Sequence, residues 1–389
     1  MAKIIQERSV KCKVEDEKKI SKELDVFYNP IMRINRDISV ELLKSIEKND
    51  LQIADILAAS GIRSIRFIKE LPSKKINNIL INDANDIAVK RIKENLKLNK
   101  IKLSNKIKIA TKDANKALLD EKGFDYIEID PFGSPNPFLD AAAKRLARSG
   151  ILAITATDTS ALSGTFENAC KRKYWAKPLR NELMHEIGIR ILIRKAQLIG
   201  AQYEKALIPI FSYSSMHYMR TFLLCNKSKN TVDEMLKLHR YLLYCNNCMK
   251  KIICRENNAK CCNQSMLISG PIWTGELYNK EIAEKTVKNI LKHHEMKNDK
   301  EILTLIELLK GDIENNTEIG FYDIHKITKK WKMHQIPSFE KIIDECSKLG
   351  YKTTRTHFNE HAIKSNIPIE ELINIVKINV NYKNVKKIE

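Results

Sequence analysis

The sequence predicts an α/β protein: a parallel sheet with helices on both faces, followed by a smaller, cysteine-bearing α+β unit. Three observations carry that prediction. Short apolar runs alternate with helical spacings between positions 51 and 155, and strand–helix alternation of this kind builds a parallel sheet covered on both sides. Five cysteines gather between positions 245 and 262. The length of 389 residues suggests two or three domains at about 150 residues each.

In chain order, residues 1–50 mix charge runs with one short apolar piece, Val26-Phe-Tyr-Asn-Pro30. Strands are expected at 51–58, 78–82, 106–110, 124–129 and 150–155, from their apolar, β-branched content. Helices are expected at 62–71, 87–98 and 138–149, where apolar residues recur at helical spacing. A longer helix, 181–201, precedes two strands at 206–211 and 218–224 around a polar loop. Asn226-Lys-Ser-Lys-Asn230 reads as a linker, so the expected division is residues 1–228 and 229–389. Residues 280–389 read as mainly helical, with a winged-helix-like unit over 321–358.

Composition narrows the class. The 43% hydrophobic share suffices for a packed core and excludes a disordered tail. No stretch approaches the roughly 18–20 apolar residues of a membrane helix, and Met1-Ala-Lys-Ile-Ile-Gln-Glu-Arg8 lacks the apolar core of a secretory signal. Nine cysteines, an odd number, argue against a disulfide framework and for metal binding in a reducing compartment. The net charge of +20 points to a polyanionic partner. The expected protein is soluble, cytoplasmic and basic.

The chemistry concentrates at strand ends. Asp55-Ile-Leu-Ala-Ala-Ser-Gly61 runs from a buried strand through small residues into a helix, where a ligand can approach the backbone. Only Gly61 remains of the dinucleotide glycine pattern, so a phosphate cradle is poorly supported. Asp83 ends the next strand, near the spacing of roughly 20 residues at which an acid binds ribose hydroxyls; its bland reading is a turn residue or helix cap. Asp113-Ala114, after the third strand, suits an exocyclic amine. Gly, Asp and Asp at three strand ends outline a nucleoside pocket, and without a phosphate clamp this favours S-adenosylmethionine over NAD.

The fourth strand ends in Asp130-Pro-Phe-Gly-Ser-Pro135. An aromatic exocyclic amine is a poor nucleophile, because its lone pair is delocalised into the ring. It needs acceptors on its hydrogens and a held ring to attack a sulfonium methyl. Asp130 supplies an acceptor, Pro131 removes a competing N–H, and Phe132 can stack on the base, a contact worth roughly 1–3 kcal/mol. The bland reading is a turn, which Pro, Gly and Ser all favour.

Together these residues resemble the tRNA (guanine-26 N2)-dimethyltransferases, class I S-adenosylmethionine-dependent enzymes. The likeness lies in Val26-Phe-Tyr-Asn-Pro30, Met32 with Asn35-Arg-Asp37, Ala59-Ser-Gly-Ile-Arg63 with Arg66, Asn82-Asp83, Asp113-Ala114 and the Asp130 motif. It continues through Lys173-Tyr174, Pro178-Leu-Arg180, His185-Glu186, Gly188-Ile-Arg190 and Gly270-Pro-Ile-Trp273. The resemblance implies a Rossmann-like class I methyltransferase domain with a tRNA-binding, zinc-containing C-terminal domain. It implies that Arg36, Arg66, Asp83, Asp113 and Ala114 contact S-adenosylmethionine. It also implies that Asp130 orients the guanine amine while Phe27 and Phe132 hold the base between them. The base must then be flipped out of its stack, at a cost of a few kcal/mol.

Two further features complete the reading. Lys171-Arg-Lys-Tyr-Trp175 through Arg180 mixes cations with aromatics, a candidate RNA contact, whereas His185-Glu186 reads as structural. Cys245-Asn-Asn-Cys248 looks like half of a zinc ribbon. The family often closes such a site with a second spaced pair. Here Ala259 stands at the expected first position and Cys261 and Cys262 are adjacent, with Cys254 as the substitute ligand. The zinc would be structural. The alternatives are methylation of another nucleobase amine, such as adenine N6, or a non-catalytic zinc-containing RNA-binding protein. The number of methyl groups added, modification of guanine 27 and the oligomeric state stay open, a monomer included.

Overall fold

The computed structural model describes residues 2–15 and 26–385 of the chain; the charge run at 16–25 lies outside them. The chain opens with β1 (Ala2–Glu7) and β2 (Val10–Glu15), an antiparallel hairpin that the sequence reading did not single out. There follow α1 (Arg33–Ser45), β3 (Leu51–Asp55), α2 (Ile62–Glu70), β4 (Ile76–Asp83), α3 (Asp86–Leu98) and β5 (Ile107–Thr111). Next come α4 (Ala114–Leu119), β6 (Phe124–Ile129), α5 (Leu139–Arg145), β7 (Leu146–Ala156), α6 (Thr159–Leu162), α7 (Glu167–Tyr174), α8 (Met184–Ala201), β8 (Lys205–Ser215) and β9 (Tyr218–Lys227).

Seven strands form one sheet in the order β5-β4-β3-β6-β7-β9-β8. The strands from β3 to β7 pair in parallel, and β9 alone runs against its neighbours β7 and β8. The chain steps outward from β3 to β5 and then returns beside β3 with β6. The crevice above the C-terminal ends of β3 and β6 is therefore the switch point at which such sheets bind ligands. The central strands are apolar along both faces, as burial under helices requires: Ile53, Ala54, Ile127, Ile129, Leu152 and Ile154 are all fully buried.

Several boundaries shift by a few residues, β3 ending at Asp55 among them, and two of the departures have a clear physical cause. The helix expected over 138–149 ends at Arg145, and Leu146 already begins β7. Lys205, projecting from β8, donates to the carbonyls of Ala143, Lys144 and Leu146 at 2.6–3.0 Å and so closes the helix with a cation, the favourable charge at that end. The linker expected at 226–230 is not one. Asn226 and Lys227 finish β9, and Ser228 caps α9 (Lys229–Lys237) by accepting the Thr231 N–H.

After α9, β10 (His239–Tyr244) and β11 (Lys251–Cys254) lead through a small hairpin, β12 (Lys260–Cys261) and β13 (Gln264–Ser265), to β14 (Leu267–Trp273). These give a three-stranded sheet ordered β11-β10-β14. Helix α10 (Lys280–Lys292) packs on α1. The remainder is α11 (Lys300–Glu314), β15 (Tyr322–Asp323), α12 (Ile324–Lys330), α13 (Phe339–Lys348), β16 (Thr353–Arg355), β17 (Ala362–Ser365) and α14 (Ile369–Val385). The last sheet has the order β15-β17-β16, so two helices and a wing-like pair of strands follow the first strand; the unit expected over 321–358 runs on to Ser365, because its second wing strand lies beyond Phe358. Among the described residues, no helix is long and apolar enough to cross a membrane.

Candidate active site and metal centre

A cavity of about 460 Å³ opens above β3, β6 and β7. Its floor comes from Asp55 and the stretch Leu57–Ser60 after β3, one wall from Asp130–Gly133 after β6, and another from Thr157 and Asp158 after β7. Phe27, Tyr28, Asn29 and Arg36 close it from the N-terminal side. Local backbone explains the loop shape. Gly133 has φ of 95°, a conformation that costs glycine little; its N–H donates to Thr157 Oγ1 at 2.6 Å and its carbonyl accepts the Thr157 N–H at 3.0 Å. Ser134 Oγ meets Tyr174 Oη at 3.0 Å, and Tyr174 donates to Asp158 at 2.6 Å, tying the Asp130 loop to α7.

Asp130 stands half-buried at the cavity wall, ion-paired through Oδ2 to Arg63. Among the described residues its Oδ1 takes no hydrogen bond, which leaves an acceptor free on a residue that lines the cavity. Arg63 also donates to Asn35 Oδ1 at 2.9 Å and Ser39 Oγ at 3.0 Å, so its fork is held from α1. Beneath it, Arg220 clasps Glu128, which accepts the Tyr126 hydroxyl at 2.6 Å. Asp55 accepts Ser64 Oγ at 2.7 Å. Burial pushes the Asp55 carboxyl up to about 7; Arg63 and Ser64 oppose the shift, while Glu128 and Asp130 add to it.

The expected site residues separate into three groups. Asp130, Pro131, Phe132, Phe27 and Arg36 line the cavity. Asp83, Asp113 and Ala114 sit at the adjoining ends of β4 and β5, beyond that lining. Asp83 accepts the Ala59 N–H at 2.8 Å and so shapes the loop after β3, while Asp113 caps α4. Arg66 and Gly61 do not reach the cavity. The Arg66 guanidinium is fully buried against Glu7, Asp37 and Glu70. Gly61, at φ 75°, sits so near Ile92 that a Cβ there would come within 3.1 Å of it; its glycine serves helix packing and a left-handed turn.

The aromatic pair also differs from expectation. Phe27 and Phe132 touch edge to face, with centroids 4.1 Å apart and planes at 64°, so a base enters between them only if the rings part. Sequence reasoning assigned no role to Asp55, Arg63 or Glu7. Arg63 closes the Ala59-Ser-Gly-Ile-Arg63 motif and was legible as a polar residue near a ligand-facing edge; Asp55 falls inside the strand expected at 51–58, and only the earlier end of β3 brings it to that edge. Glu7 carried no local signal, because its partners come from α1 and α2.

Cys245, Cys248, Cys261 and Cys262 place their sulfur atoms within 4.8 Å of one another. Tetrahedral zinc with bonds of about 2.3 Å needs sulfurs about 3.8 Å apart; the Cys248–Cys261 and Cys261–Cys262 pairs stand at 3.5 and 3.9 Å. The donor set fits zinc. Adjacent cysteines converge because Cys262 and Asn263 adopt φ of 50° and 58°, which folds the second thiol back. Cys254 turns instead to the Glu256 carbonyl at 2.9 Å and stays outside the cluster. Burial pushes the Cys245 thiol up, but the N–H groups of Cys248 and Asn247, with the thiols of Cys248 and Cys261, outweigh burial and lower it below the usual thiol range.

A family model described as TRM, N2,N2-dimethylguanosine tRNA methyltransferase, matches residues 8–377. The chain belongs to the N2,N2-dimethylguanosine tRNA methyltransferase family. Within it, the tRNA (guanine(26)-N(2)/guanine(27)-N(2))-dimethyltransferase of Aquifex aeolicus is 38% identical over 381 residues, 95% of this chain and 94% of that relative. The tRNA (guanine(26)-N(2))-dimethyltransferase of Methanobrevibacter smithii is 36% identical, covering 96% of this chain and 97% of its own. Trm1 from Pyrococcus horikoshii, solved with S-adenosyl-L-methionine, superposes with a TM-score of 0.84 at 32% identity. The match spans 96% of this chain and 99% of that one.

Proposed function

We propose that this chain transfers methyl groups from S-adenosylmethionine to the N2 amine of guanine 26 in tRNA. The observation that carries the reading is the Asp130 carboxylate, held by Arg63 at the wall of the switch-point cavity, in a chain of this family. S-adenosylmethionine supplies the methyl group as an electrophilic sulfonium. We assign Arg36, Asp83, Asp113 and Ala114 to its binding, with Arg66 and Gly61 supporting from behind. The sulfonium binds without a phosphate clamp, in keeping with a β3 loop of Ala58, Ala59 and Ser60.

The chain's own groups then act on the nucleobase. Oδ1 of Asp130 accepts from the N2 amine, which raises electron density on nitrogen and takes up the charge that develops as the N–C bond forms. Pro131 presents no N–H to compete for that amine. Phe27 and Phe132 part to take the ring and shield it from water. The nitrogen sheds one proton for each methyl gained, and the carboxylate is placed to receive it. The relatives named as dimethyltransferases support two rounds at one nitrogen.

tRNA is the polyanion that the +20 charge anticipates. Trp175 is half-exposed at the end of α7, in a left-handed conformation at φ 55° that a bulky residue seldom adopts. Lys171, Arg172 and Lys173 precede it on the helix already tied to the Asp130 loop. We assign that face and the unit over 229–389 to the tRNA. Cys245, Cys248, Cys261 and Cys262 hold a structural zinc there, clamping β12 to the turn after β10. The test is mass spectrometry of nucleosides and of ribonuclease fragments from unmodified tRNA incubated with the enzyme and S-adenosylmethionine. Mono- and then dimethylated guanosine at position 26 is the expected product; methylation confined to adenosine, or none, would refute the reading.

A further inference from the structure

Two arginines line the cavity, Arg36 and Arg63. Arg63 is committed to Asp130, Asn35 and Ser39. Arg36 is committed along one edge only. Glu7 accepts from its Nε at 2.7 Å and its Nη2 at 2.6 Å, and Nη2 also donates to the Asn29 carbonyl at 3.1 Å. Among the described residues Nη1 takes no hydrogen bond, so it is the guanidinium corner left for an anion in the cavity. A guanidinium is rigid and planar; a carboxylate gripping its Nε–Nη2 edge therefore fixes where Nη1 points.

Glu7 is itself held in place. It closes strand β1 and accepts from Arg66 Nη1 at 3.0 Å and from the Tyr28 hydroxyl at 3.2 Å. Burial alone would raise its carboxyl, but Arg36 and then Arg66 reverse that and bring it to about 2. Arg66 meets Asp37 at 2.7 Å and Glu70 at 2.9 Å as well, so its charge is matched without Glu7. The Arg36 guanidinium has no other carboxylate partner among the described residues.

We propose that Glu7 is a positioning residue for the amino-acid end of the methyl donor, presenting Nη1 of Arg36 to the carboxylate of S-adenosylmethionine. The inference rests on the methyl-donor reading above. It makes the N-terminal hairpin a working part of the donor site. The carboxylate is the group that Arg36 can bind, since the nucleoside end offers no anion.

Calorimetric titration with two ligands tests it: S-adenosylmethionine, and 5′-methylthioadenosine, which keeps the nucleoside thioether and lacks the amino-acid end. Glu7→Gln keeps the side-chain shape but loses the charge and one acceptor. It should weaken S-adenosylmethionine roughly tenfold or more, the scale of a charge-assisted hydrogen bond, while methylthioadenosine changes less than about twofold. Arg36→Met should show the same selective loss, and adding Glu7→Gln to it should cost nothing further. If Glu7 only braces the fold, both ligands weaken together or neither does, and either result overturns the inference. Should Glu7→Gln not fold, Glu7→Asp takes its place, one methylene too short to span both arginines, with the same selective loss expected and an equal loss of both ligands overturning it. Wild-type protein that binds no S-adenosylmethionine overturns the methyl-donor reading, and this inference with it.

Discussion

Asp130 and Asp55 lie at one cavity and answer to Arg63 in different ways. Asp130 meets the guanidinium directly and keeps an oxygen free for the amine. Asn at that position retains an acceptor and the shape but not the charge. Asp130→Asn should lower the single-turnover methyl-transfer rate by about 10²-fold or more, as for a lost charge-stabilising group, with donor and tRNA affinities nearly unchanged. A rate within about threefold of wild type would mean that Asp130 does not orient the amine. Asp55 is buried with Ser64 and carries a carboxyl raised to about 7. Protonated, it leaves Arg63 and Arg220 matched by Glu128 and Asp130. Such an acid keeps a proton in the native state that it has lost when unfolded, so native stability falls as pH rises from about 4 towards 7, by up to roughly 1.4 kcal/mol per unit. Above that window the slope ends. Asp55→Asn should remove this slope, so melting curves of variant and wild type that run parallel between pH 5 and 7 would count against the shift.

At the scale of elements, the zinc knuckle and the hairpin show how short pieces are fixed from outside. β12 and β13 are two residues each, far too short to hold themselves. Four thiolates on one zinc would supply what their ladder cannot. The left-handed turn at Cys262 and Asn263 brings Cys262 to the other three thiols, while Cys254 turns away. Cys262→Ser should strip the metal and loosen the knuckle, whereas Cys254→Ser should keep about one zinc per chain. Metal content of the two purified variants decides it, and the reverse pattern would disprove the ligand set. The hairpin β1–β2 is fixed differently. Asn95 on α3 and Asn99, which follows its last turn, act as a substitute strand edge, accepting the Lys13 and Lys11 N–H groups at 2.7 and 3.0 Å.

At the scale of the whole molecule, buried charge joins residues before and after position 228. Asp312 on α11 accepts the Thr356 hydroxyl at 2.8 Å and His357 Nδ1 at 2.6 Å, and lies 3.5 Å from Lys364. His357 Nε2 in turn accepts the Ser214 N–H of β8 at 3.1 Å, which fixes the neutral tautomer with its proton on Nδ1. Lys364 also reaches Glu186 on α8, which accepts Arg190 Nε at 2.9 Å and the Gly320 N–H at 3.0 Å. Arg8 bridges Asp37 and Asp299 at the opposite end. Removing one member of such a network leaves the others buried without a partner. Asp312→Ala should therefore cost about 3–5 kcal/mol, in one cooperative transition that far-UV dichroism and tryptophan fluorescence report together. A loss under about 1 kcal/mol, or two separate transitions, would argue that the network is incidental.

The sheet, its strand-end motifs and the Cys245–Cys248 pair were legible in the linear order because they are local: a strand and its turn are one continuous run, and apolar periodicity marks where they lie. The Asp130 loop, Asp83 and Cys245 with Cys248 each declared a chemistry through their immediate neighbours. Tertiary structure decided the rest. It turned Asn226–Asn230 into a strand end and a capped helix, since Lys205 and Lys227 pair across β8 and β9. It withdrew Arg66 from the cavity and set Glu7 against Arg36, residues far apart in sequence that meet only once the hairpin lies over α1 and α2. Charge pairing at such separations leaves no periodic trace in sequence, because an ion pair needs only two residues of opposite sign and says nothing of where along the chain the second one lies.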